Sequence, residues 1–366
     1  MSFESGAVSF RLFHLPHALP GGHVRLFAQQ ALPPINVLGR EPLQGWVTGR
    51  HLLDRTITEE TAFAAGYLRL TLTKAERKIP EALLRAECTM EELAVMQAEG
   101  TAYVKRDKRT EIKKQIVERL LPTMPPTLSG MAMVFDERNK VLYAAACSEK
   151  QVEVFALAFQ QAVGVSPVPL TAEAVALQRK RIRVGSLPPT SFSPELEDEL
   201  APQSIGQDFL TWLWFHWEHR GGVLNVNGQE VAAILEGPLV FVMEGEGAHV
   251  ATLRNGAPLI ASEAKTALMS GKKLRKAKVT LSLGQETWTA LLDADSFTFS
   301  GMKIPKSEQD LGPIDRFHER MLSLERFRGS FLGYYDRFLE ERSDAAGWKT
   351  VQKDIHAWAS GRQSRR

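Results

Sequence analysis

Cysteine is nearly missing from this sequence: Cys88 and Cys147 are the only two in 366 residues. Two cannot build a disulfide framework or a multi-cysteine metal site, and such usage fits a reducing compartment. No run approaches the roughly 18 apolar residues of a membrane-spanning helix, so no membrane partner is expected. The opening MSFESGAVSF has no basic segment followed by an apolar stretch, so no signal peptide is expected and the protein should be cytoplasmic. Catalytic signatures are also missing. There is no P-loop, dinucleotide-binding glycine pattern or HExxH, and no GxSxG elbow. No cofactor is expected. Net charge is scarce as well: 45 Lys+Arg against 43 Asp+Glu leave +2, which by itself suggests no polyanionic partner.

The distribution of charge says otherwise. Residues 105–119 hold seven basic and three acidic residues; RKRIR at 179–183 and KKLRKAK at 272–278 hold four and five basic residues with no acid. Charge segregated in this way produces a local field that the net count hides. Any one run reads equally well as a solvated face. Three runs, two of them free of acid, point to an anionic partner.

The hydrophobic pattern indicates an α+β chain, with helices packed on antiparallel sheets. Strands are expected at 8–15, at HVRLFAQQ (23–30), around Gly45–Trp46–Val47 and at 67–73. A helix follows over 81–100, with Thr89 and Glu92 as a capping box. In the next helix Ile112, Ile116 and Leu120 form one apolar stripe, and Lys113, Lys114 and Arg119 lie off it; Pro122 ends it. A hairpin over 130–148 leads to an amphipathic helix over 149–164, with Val152, Phe155, Phe159 and Val163 inward. The Pro/Ser-rich stretch 186–204 reads as a linker between region 1–185 and region 205–306. That second region opens with a tryptophan-rich helix and continues as an antiparallel meander in which EVAAILEG and PLVFVMEG read as separate strands. A helix and the basic run precede its last strands. The tail 307–366 is helical. Ile314, Phe317, Met321, Leu324, Phe331, Tyr335 and Phe338 recur at coiled-coil spacing, more in keeping with packing on the chain's own domain than with a dimer contact, because Gly329 and Gly333 weaken a free-standing helix.

Two constellations could carry metal chemistry. His216 and His219 sit one helical turn apart beside Glu218, but within a tryptophan cluster. Asp293 and Asp295 could pair as the carboxylates of a metal-dependent nuclease. Neither amounts to a catalytic set. Cys147 follows an apolar strand and reads as core.

Taken in order, ERKIPEALLRAE, KRDKRTEIKKQIVERLLP and GMAMVFDERNKVLYAAACSEKQVEVFALAFQQAVGVSPVPLT resemble the bacterial recombination-associated RdgC family. The matching steps are Lys78–Pro80, Leu120–Pro122, Ser148–Lys150 and Val168–Leu170. Gly45–Trp46–Val47, FLTWLWF (209–215) and residues 262–305 extend the resemblance over roughly 8–306. It implies a non-enzymatic, nucleoid-associated protein that binds double-stranded DNA without sequence preference, and single-stranded DNA more weakly. It also implies a homodimeric ring that encircles the duplex and antagonises the RecA recombinase by occupying DNA. The family also carries a nuclease label, which the motif search does not support. The chain departs from the family pattern in three places. Pro125 stands where the family can carry an aromatic at a ring-closing contact. A Lys-Gln pair tied to DNA falls near 254–258 and is not reproduced. The insert over 221–250 and the tail after Lys306 lengthen the chain.

Under this reading the helix at 105–119 faces DNA through Lys105, Arg106, Lys108, Arg109, Lys113 and Lys114, since cations on phosphates carry no base information. Lys272, Lys273, Arg275, Lys276 and Lys278 come next, then Arg179, Lys180, Arg181 and Arg183. Two alternatives stand beside it: a metal-dependent nuclease, and a protein-interaction module that ignores DNA.

Overall fold

The computed structural model describes residues 3–201, 203–243, 250–254, 262–306 and 310–361. The first half runs β1 (Val8–His14), α1 (His23–Gln29), β2 (Leu43–Thr48), α2 (Glu59–Ala62), β3 (Phe63–Ala64), β4 (Tyr67–Arg77), α3 (Glu81–Glu99), α4 (Arg106–Leu120), β5 (Pro126–Asp136), β6 (Val141–Ala144), α5 (Glu149–Val163), β7 (Val168–Pro169) and α6 (Ala172–Lys180). The second runs α7 (Ile205–Arg220), β8 (Val223–Val226), β9 (Gln229–Val242), β10 (Val250–Leu253), α8 (Ser262–Met269), β11 (Lys273–Leu283), β12 (Glu286–Asp293), β13 (Thr298–Lys303), α9 (Pro313–Ser343) and α10 (Ala345–Ser360). The fold is α+β, a large antiparallel sheet with packed helices, as expected.

The main path of the sheet is β10-β9-β11-β12-β13-β1-β6-β5-β4-β2. β1 is shared between its two halves. Val8 and Phe10 pair with Met302 and Phe299 of β13, whereas Arg11 to His14 pair with β6. Arg11 is buried at this junction; its Nη1 donates to Glu149 Oε1 at 2.9 Å and its Nε to Ser296 O at 3.3 Å.

The apolar residues gather in three clusters. The largest joins β1 and the second half of the sheet to α7, α9 and α10. A second joins α1, α5 and the β2-β4-β5-β6 face. The third is small and lies between α3 and α4. The stretch expected as a linker contributes to the interior: Thr190, Ser191, Phe192 and Ser193 are buried, and Trp348 Nε1 donates to Thr190 Oγ1 at 3.0 Å.

Several local expectations need correction. HVRLFAQQ is a helix, not a strand, because Val24 and Phe27, three apart, are its buried residues. Phe27 sits edge-on to Trp46 and Phe159, with ring centroids 4.9 and 5.4 Å away. Thr89 does not cap α3; it lies mid-helix and its hydroxyl donates to Arg85 O. The two stretches EVAAILEG and PLVFVMEG join in one strand, β9, that runs through Gly237–Pro238 to Val242. Gly237–Pro238 is absorbed where the β9–β11 register shifts, between Lys276 and Lys278 of β11. The basic run does not precede the strand: from Lys273 to Lys278 it is the start of β11 itself. Residues 172–180, for which no element is expected, form α6.

The tail stripe packs on its own chain. Phe317, Met321, Leu324, Phe331, Tyr335 and Phe338 of α9 are buried, and Ile314 is exposed. Gly333 lets α9 approach β8: a Cβ there would stand 2.5 Å from the Val226 methyls.

Candidate nucleic-acid interface

The α3–α4 hairpin stands beyond the end of the β4–β5 ribbon, whose last register pair is Arg77 with Pro126. Its small core consists of Val104, Ile112 and Ile116 against Leu84, Cys88, Val95 and Met96. The expected apolar stripe of α4 is therefore the face turned to α3. Acids of α3 neutralise the two flanks of this seam. Arg109 Nε lies 3.2 Å from Glu92 Oε2, and Arg119 Nη2 lies 2.7 Å from Glu87 Oε2. Lys108 pairs with Glu111 at 3.1 Å within α4.

Lys105, Arg106, Lys113 and Lys114 are exposed and form no ion pair among the described residues. Arg106 and Lys113 lie seven residues apart, close to two turns and about 10 Å along one flank. Lys114 points away from α3. Helix periodicity alone assigned a cationic face. Glu87 and Glu92, which decide which cations remain free, lie on a different helix, where the period of α4 gives no sign of them.

The other two basic runs are largely consumed inside the chain. Arg179 grips both carboxylate oxygens of Asp336 on α9, with Nε at 2.8 Å from Oδ1, and that hydrogen bonding raises its pKa further. Lys180 Nζ meets Glu340 Oε1 at 2.8 Å. Arg181 ends α6 in a left-handed conformation, φ 59°, and it and Arg183 are exposed. In the third run Lys273 is 1% exposed and bonded to Asp208 Oδ1 at 2.7 Å. That removes it from any surface contact and corrects its place among the expected DNA contacts. Such a buried pair depends on close geometry to offset desolvation. Lys276 Nζ lies 3.0 Å from Asp293 Oδ2, Arg275 Nε 3.2 Å from Asp295 Oδ2, and Lys278 Nζ 2.6 Å from Glu236 Oε2. Lys272 is half-buried.

These contacts also use up the carboxylates considered for metal chemistry. Asp293 faces Lys276 and Arg275, and Asp295 further accepts from Ser204 Oγ at 2.6 Å. Glu218 accepts from the indoles of Trp214 at 2.7 Å and Trp358 at 2.8 Å. His216 is buried between Trp212 and Tyr334; desolvation, then Arg220, lower its pKa. His219 stacks on Phe215 with centroids 5.0 Å apart. Among the described residues, no group of three or more His, Cys, Asp or Glu could hold a metal ion. Cys147 is half-buried rather than core, and burial pushes its thiol pKa up. No helix of the described residues is long and apolar enough to cross a membrane. Pro125 is exposed just before β5, and most of the 254–258 position lies outside the described residues.

Residues 27–180 match the family model described as "Putative exonuclease, RdgC". The recombination-associated protein RdgC of Pseudoalteromonas atlantica is 27% identical over 170 residues, which are 46% of this chain and 55% of that relative. The chain thus spans about half the length of the curated relative it matches. The family-matched segment contains the α3–α4 hairpin with its four unpaired cations, whereas the 272–278 run and everything from α7 onward lie beyond it. Through residues 27–180, the chain is similar to the RdgC family.

Proposed function

We propose that this protein binds double-stranded DNA without sequence preference through the exposed flank of α4, and that it acts in recombination without catalysing a reaction. One observation carries the reading: Lys105, Arg106, Lys113 and Lys114 stand exposed and unpaired on a hairpin that projects from the sheet. Flexible cations exposed along one short helix and its N-cap suit phosphate contacts, which position a protein on DNA without reading bases. The name of the Pseudoalteromonas relative, a recombination-associated protein, fits that role. Two copies closing around a duplex, and antagonism of RecA by occupancy, complete the proposal in the form the family resemblance suggests.

The test is fluorescence anisotropy on a labelled random duplex across a salt series. Four contacts from one copy give a log–log slope of about −4, and eight from two copies about −7. Absence of binding at low salt overturns the reading. Magnesium-dependent loss of the duplex, abolished by Asp293→Ala, would instead favour the nuclease alternative.

A further inference from the structure

A cavity of about 560 Å³ opens where the start of α9 meets the loop before β1 and the β11–β12 turn. Four cations line it: Lys306, Arg316, Arg320 and Arg326. Three carboxylates line it too, and two of them are engaged by cations. Glu4 pairs with Arg69. Glu286 is taken by Arg326 and accepts from Ser323 Oγ at 3.0 Å. The third, Glu319, acts on Arg326.

The remaining cations are held differently. Arg320 donates to two backbone carbonyls, Phe3 O at 3.0 Å and Gly6 O at 2.8 Å. Carbonyls orient a guanidinium without neutralising it, and burial lowers its pKa. Arg316 likewise donates to Leu311 O at 2.9 Å. Like charges four residues apart on a helix repel, yet Arg316 and Arg320 share this cavity wall. Lys306 is exposed at its rim and has no ion pair among the described residues.

We propose that this cavity is an oxyanion site that takes a phosphate group between Lys306, Arg316 and Arg320. Guanidinium groups suit it because their planar fork matches phosphate geometry. The phosphate has two possible sources, a free phosphate or phosphomonoester and the backbone of bound DNA. Glu4 ties the cavity to Arg69, eight residues along β4 from Arg77, where the hairpin begins. The free-phosphate source stands independently of the α4 reading; the backbone source extends that reading.

The double variant Lys306→Gln/Arg316→Gln tests the site, because both side chains are exposed. Arg320 is left intact because it holds the N-terminal loop. Thermal unfolding is followed with inorganic phosphate against chloride at equal ionic strength, and duplex binding is followed across salt. In the wild type, phosphate raises the melting temperature above the chloride control. The double variant loses the part of that excess due to the site and keeps the general stabilisation that excluded phosphate gives. With a free anion as the source, duplex binding by the variant is unchanged. With the DNA backbone as the source, its salt slope becomes shallower by about 2 per copy. The Lys113→Ala/Lys114→Ala variant reports on α4 separately, so failure of one site is distinguishable from failure of the other. An equal excess in wild type and variant together with an unchanged slope overturns the proposal.

Discussion

Lys276 and Asp293 are direct partners across the β11–β12 ladder, and their side chains meet at 3.0 Å. This single contact bears on two readings of the sequence. It engages a lysine that could have met DNA and a carboxylate that could have met a metal. Lys276→Ala should therefore leave the salt slope of duplex binding unchanged. Because the lysine is 38% exposed, the stability cost should stay below about 1 kcal/mol. Anisotropy and urea unfolding of the one variant check both parts.

Lys113→Ala/Lys114→Ala should behave differently. Both residues are exposed and unpaired, so folding is retained. Duplex affinity should fall alike for every sequence, and the slope should become shallower by about 2 per copy. Arg109→Ala should have a smaller effect, because Glu92 already holds that guanidinium at 3.2 Å.

How much of this was legible in the sequence depended on whether the signal was local. The amphipathic period of α4 and α5 marked Ile112, Ile116, Phe155 and Phe159 as inward, and they are buried. The motif steps from Lys78 to Leu170 lie in the segment that matches the family model, whereas FLTWLWF (209–215) and residues 262–305 lie beyond it. Charge did not read out in the same way. Partners of the basic runs come from distant positions: Asp336 for Arg179, Asp208 for Lys273, Glu87 for Arg119. Composition counts cations but cannot say which of them tertiary structure has neutralised. The short apolar stretch at α1 misled for a related reason: over seven residues a period of two and a period near three are hard to separate.

Acid should destabilise the protein through His216. Desolvation, then Arg220, hold its folded pKa below the ordinary value of 6.5. Between those two values the unfolded chain binds more protons, so stability falls as the pH drops from above 6.5 toward the folded pKa. His216→Phe, which keeps a ring between Trp212 and Tyr334, should flatten that part of the profile. Melting temperatures from pH 8 to pH 5 would show it; an unchanged acid limb would assign the loss to other groups.

The two glycines of α9 should respond oppositely to alanine. Gly329 faces open space, so Gly329→Ala should stabilise by up to about 1 kcal/mol through helix propensity. At Gly333 the new Cβ would lie 2.5 Å from the Val226 methyls, and overpacking typically costs about 1–3 kcal/mol. Gly333→Ala should therefore be less stable than Gly329→Ala by at least about 1 kcal/mol in chemical unfolding. Equal midpoints would show that β8 yields freely.

The strand β1 has its partners at opposite ends of the chain's timetable. Arg11 to His14 pair with β6, within the first 144 residues, whereas Val8 waits for Met302. During synthesis one half of this strand can be matched early while the other presents Val8 and Phe10 as an open edge until nearly the whole chain has emerged. Pairings so far apart in sequence slow folding, and open apolar edges invite association with other chains. The residues that join the two halves of the sheet are thus also those on which the nascent protein is exposed longest.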